Sequence, residues 1–140
     1  MKWSTFVKNH LFEDTGWFEK SRKQTRRALR KVVPKLPDSA IPDNLLIFAP
    51  NSDLLGMVWK SNYSSDHYMY LDWQIEIESF EEAVFTVAHE FAHLELQHPS
   101  RRTEGKKHMK QHEFEADALA EHWGFKKPNQ PKPKKKKKKK

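Results

Sequence analysis

Apolar positions along this chain change rhythm several times, and the changes fall at residues suited to ending one element and starting the next. Trp3, Phe6, Leu11 and Phe12 predict a short helical stretch within residues 1–14 that packs downward. Trp17 to Val33 reads as an amphipathic helix offering Phe18, Ala28, Leu29 and Val32 to a core, before Pro34, Pro37 and Pro42 mark a loop. Leu45–Ala49 and Leu55–Lys60 read as short strands, and Ser61–Asp66 as a turn. His67–Trp73 alternates in the manner of a half-buried strand. Ser79 followed by Glu82 is a capping-box pair, and Phe80–Gln97 then runs without Gly or Pro, apolar on most sides, until Pro99 ends it. Gln111–Trp123 forms a last helix with Phe114, Ala118 and Leu119 as its apolar stripe, stopped by Gly124. Helices and a few short strands in this order predict an α+β domain.

The buried helix carries the chemistry. His89-Glu90-Phe91-Ala92-His93 is an HExxH motif. Side chains four apart share one helix face, so the two imidazoles can grip one ion. Glu90 flanks that face, where a carboxylate can take a proton from a metal-bound water. A three-histidine site would place Gly and His three and six residues after His93, but those positions hold Leu96 and Pro99. His98 falls at the frayed helix end. A carboxylate from the following helix is the other solution, and Glu113 and Glu115 both offer one.

Together with Glu113-Phe114-Glu115-Ala116-Asp117, an ExxAD segment, the motif resembles the gluzincin zinc metallopeptidases. Within them it is similar to the soluble minimal relatives of the CaaX-processing and heat-shock membrane proteases, and to the ImmA/IrrE-like metallopeptidases. The Asp at 117 leans toward the former, since the latter more often carry Asn there. The resemblance implies a zincin-like fold: a small mixed sheet, an N-terminal helix, a buried HExxH helix and a second ligand-bearing helix. It implies Zn²⁺ on His89, His93 and Glu113, with Asp117 behind a ligand histidine and Glu90 as general base for peptide-bond hydrolysis. It implies further that a peptide or protein substrate lies extended along an edge strand within residues 67–75. Tyr68, Tyr70, His108, His112 and His122 are all open as the extra donor to the developing oxyanion. The alternative function is a regulatory or interaction module on the same scaffold with little turnover.

Composition adjusts this picture only at the edges. The 140 residues suit one domain, expected over 1–126, with a Pro/Lys-rich, disordered tail at 127–140. Without cysteine, neither a disulfide nor a thiolate metal site is available. With no apolar run of spanning length and no signal-like N-terminus, a cytoplasmic protein is expected, and a monomer is expected as well. The net charge of +7 belongs to the tail. Eight of the 26 basic residues are Lys132 and Lys134–Lys140, and without them 18 basic residues face 19 acidic ones. Such a run attracts polyanions without sequence preference. Arg22, Lys23, Arg26, Arg27, Arg30 and Lys31 form a second cluster, expected on a solvated helix face.

Overall fold

The computed structural model describes residues 1–11, 18–49, 67–96 and 106–128, with the backbone alone at 67–68 and 106–109. Phe12, Trp17, the strand at 55–60, the turn at 61–66, His98, Pro99 and residues 129–140 lie outside the described residues.

Five helices and two strands make up the described fold: α1 (Trp3–His10), α2 (Lys23–Val32), β1 (Leu45–Phe48), β2 (His67–Tyr70), α3 (Gln74–Ile77), α4 (Phe80–Glu95) and α5 (Lys106–His122). Two 3₁₀ turns, Val33–Lys35 and Asp38–Ala40, bridge α2 to β1 through the proline-marked stretch. The architecture is thus α+β with helices predominant.

All four residues of β1 are buried, the signature of a strand covered on both faces. It pairs in parallel with β2, Leu45 opposite His67 and Phe48 opposite Tyr70. Its other side carries parallel bridges from Leu11 to Ile47 and from Phe18 to Ala49. Every pairing among the described residues is therefore parallel, where a mixed sheet was expected. Among the described residues, β1 is paired on both sides and β2 on one.

The second helix is shorter than its hydrophobic pattern predicts. Phe18 is buried, but as an extended residue bridging Ala49, and α2 begins only at Lys23. Arg22, expected at the surface, is the reason. Its side chain is 0% exposed, and Nη2 donates to the carbonyls of Leu71 at 2.7 Å and Asp72 at 2.6 Å. Burial pushes its pKa down, an effect opposed by the nearby Glu76 carboxylate. No side chain of its own caps α2. Instead Glu76 of α3 reaches across, accepting from the backbone N–H of Gln24 at 3.2 Å and of Thr25 at 2.6 Å. A negative group on otherwise orphaned amides at a helix start is stabilising. This network fixes the segment between β2 and α4.

α4 forms as its sequence dictates. The Ser79 hydroxyl accepts from Glu82 N–H at 3.1 Å, and the Glu82 carboxylate accepts from Ser79 N–H at 2.9 Å. Ala83, Phe85, Val87, Ala88, Phe91 and Ala92 are buried against α2 and α5, and Phe91 meets Phe6 of α1 at a ring separation of 6.2 Å. α5 packs against α4 through Ala116 and Ala120, both fully buried, whose small side chains let the helices approach. The stripe expected on this helix is displaced. Phe114 is 69% exposed and Ala118 is exposed, because the face turned to α4 bears Glu113 and Asp117 beside the two alanines. Gly124, at φ +102°, lets the chain reverse, and Phe125 N–H bonds Ala120 C=O across the helix end. No described helix is long and apolar enough to cross a membrane.

Candidate metal centre and cleft

One turn of α4 and one turn of α5 meet face to face. His89 and His93 lie four apart on the first, and Glu113 and Asp117 four apart on the second. Glu113 reaches His93, and Asp117 reaches His89, so the two helices run antiparallel at the crossing. Glu113 Oε2 stands 2.5 Å from His93 Nε2 and 3.2 Å from His89 Nε2, and the two Nε2 atoms are 2.9 Å apart. The rings meet edge-on at an interplanar angle of 87°, with centroids 4.5 Å apart.

The polarity of these atoms says what they suit. His89 Nδ1–H donates to Asp117 Oδ1 at 2.6 Å. A carboxylate has only lone pairs to offer, so the ring proton sits on Nδ1 and His89 Nε2 faces its neighbours with a lone pair. Three atoms able to ligate a cation thus converge on one point: His89 Nε2, His93 Nε2 and Glu113 Oε2. A tetrahedral ion bound at about 2.0–2.2 Å sets its ligand atoms roughly 3.3–3.5 Å apart. The observed separations fall short of that by less than 1 Å, a change within reach of side-chain rotation. The donor set therefore fits a small divalent ion with nitrogen and oxygen ligands.

Asp117 is held from both sides. Its Oδ2 accepts from Lys127 Nζ at 2.8 Å while Oδ1 accepts from His89. Burial opposes ionisation, but the hydrogen bonds and charges of Lys127 and His89 outweigh it and keep the carboxyl below its usual range. Lys127 belongs to the stretch grouped with the tail on composition. The reversal at Gly124 and the anchoring of buried Phe125 bring it back to α5.

A cleft of about 330 Å³ opens beside these groups, with His89, Glu90, Glu113, Asp117, Lys127 and Pro128 in its lining. Glu90 thus faces the same space as the converging lone pairs. Glu115 is elsewhere, accepting from Gln111 at 2.9 Å. Tyr70, His112 and His122 do not line the cleft, nor do any of the side chains described within residues 69–75. The side chains of Tyr68 and His108 lie outside the described residues. Glu78 and Glu82, unremarked as site residues in the sequence, do line it. The only signal for Glu82 is its helical spacing of seven from His89.

Two crossed helices presenting two imidazoles and a carboxylate beside a cleft define a candidate metal centre. Residues 53–140 match the family model described as Peptidase U49, which covers more than half of the chain. The chain belongs to this family of peptidases, though no curated protein and no solved structure matches it.

Proposed function

We propose that the protein is a zinc-dependent endopeptidase of gluzincin type, with His89, His93 and Glu113 holding the ion. The observation that carries the reading is the convergence of three potential ligand atoms beside a cleft that His89, Glu113 and Glu90 line. A bound Zn²⁺ would supply Lewis acidity and bring the pKa of its water to about 7. Glu90 takes the proton from the attacking water and returns it to the leaving amine. Asp117 fixes the tautomer of His89 and raises its basicity, and Lys127 in turn holds Asp117 in place.

Metal analysis of the purified full-length protein tests this directly, with one zinc per chain expected. Glu90→Gln retains that zinc and lowers peptide cleavage by roughly 10²–10⁴-fold. A Glu90→Gln protein that cleaves as fast as the parent would sink the mechanism.

A further inference from the structure

The cleft extends past the converging ligands along α4, toward the start of that helix. Glu82, Thr86 and Glu90 succeed one another at intervals of four, and Phe85 and His89 flank them, so all five line the same wall. At 1.5 Å per residue, Thr86 lies about 4.5 Å and Glu82 about 10.5 Å along the axis from His89. Glu78 joins this far end, its carboxylate accepting from the Thr86 hydroxyl at 3.1 and 3.3 Å.

The charge of this space is one-sided. Among the described residues, five carboxylates line it (Glu78, Glu82, Glu90, Glu113 and Asp117) against one ammonium, that of Lys127. A divalent ion on the ligand cluster would still leave an excess of two negative charges. Lys127 is committed to Asp117, at the end away from Glu78. Among the described residues no lysine or arginine pairs with Glu78, whose one side-chain partner is a neutral hydroxyl. Burial, with Glu82 and Asp72 nearby, pushes the Glu78 carboxyl up, so its ionised form lacks compensation. Glu82 gives one oxygen to the capping box.

We propose that this end of the cleft is a subsite for a basic side chain of the substrate, lysine or arginine, read by Glu78 and Glu82. The inference rests on the peptidase reading and names its substrate class. A peptide whose backbone lies at His89 and Glu90 would send one long side chain along α4. Its methylene stem would lie on Phe85, and its charged head would replace the missing cation beside Glu78. The cavity, near the lower limit of ligand pockets, suits one such side chain.

The test uses the zinc-loaded full-length protein and a randomised peptide library, with product termini read by mass spectrometry. Lysine and arginine are expected to be enriched at one position flanking the cleaved bond. Glu78→Gln should lower kcat/KM for a lysine peptide roughly 10–100-fold while sparing its norleucine counterpart. Cleavage with no basic preference, or a preference that Glu78→Gln leaves intact, overturns the subsite while peptidase activity stands. Binding of the two fluorescent peptides to Glu90→Gln separates the remaining cases. Tighter, Glu78-dependent binding of the lysine peptide to a protein that cleaves nothing supports the subsite and overturns hydrolysis. Equal binding of both peptides to such a protein overturns both.

Discussion

Two polar clusters join pairs of helices in this small domain, and they are built on opposite plans. Where α2 meets α3, Arg22 and Glu76 are a cation and an anion, each bonded to backbone groups, with side chains 0% and 10% exposed. Where α4 meets α5, two imidazoles and a carboxylate bring three potential ligand atoms together at the edge of a cleft. The first cluster satisfies its own demands and holds the fold. The second gathers atoms that a cation could join, which is how a candidate site differs from a brace.

Breaking each cluster should therefore leave different traces. His93→Ala is expected to abolish stoichiometric zinc binding and, with it, cleavage by on the order of 10³-fold or more. The variant should unfold in urea within about 1 kcal/mol of its parent stripped of metal, because no closed network is lost. Arg22→Met should do the reverse. It orphans two backbone carbonyls and strips Glu76 of its cation, costing about 3–5 kcal/mol in urea unfolding while folded molecules keep their zinc. If Arg22→Met proved neutral, or His93→Ala as destabilising, the distinction between brace and site would collapse.

Asp117→Asn sharpens the comparison at an intermediate scale. An amide can still touch His89 but carries no charge for Nδ1–H or Lys127, so zinc affinity should fall roughly 10–100-fold in competition with a chelator. The smallest effect expected is on stability, from Glu78→Gln. The folded-state pKa of Glu78 is raised, so its ionised form is penalised on folding, and the penalty grows as pH rises through that pKa. Glu78→Gln should accordingly melt slightly above its parent near pH 8. The difference should shrink on acidification and vanish below about pH 4, as Glu78 becomes neutral in both states. A gap that widens on acidification would contradict this sign.

The contrast also explains what the sequence could disclose. The α4 half of the cluster was legible because its spacing is local, His89 and His93 lying four apart on one helix. Ser79 and Glu82 announce the start of α4 for the same reason, since a capping box closes within three residues. On the next helix, spacing alone left Glu113 and Glu115 both open, and only the family resemblance pointed to Glu113 and Asp117. The brace was not legible. Arg22 owes its burial to carbonyls some fifty residues away, and α2 takes its cap from another helix, so the basic run there read as a wet surface. The apolar stripe of α5 misled in a related way. Ala116 and Ala120 carry the contact, and small residues leave little trace in a hydrophobic pattern. Glu78 escaped notice because its place in the cleft depends on how the chain enters α4.

Lys127 has a practical bearing on how the chain can be shortened. Removing the lysine run is an obvious step for anyone preparing the protein, and composition puts the cut at 126. A cut there deletes the ammonium that holds one oxygen of Asp117, and with it the Pro128 rim of the cleft. A cut after 128 spares both. Weak zinc binding by the shorter protein would then record a loosened support behind His89, and would be misread as a property of the missing lysines.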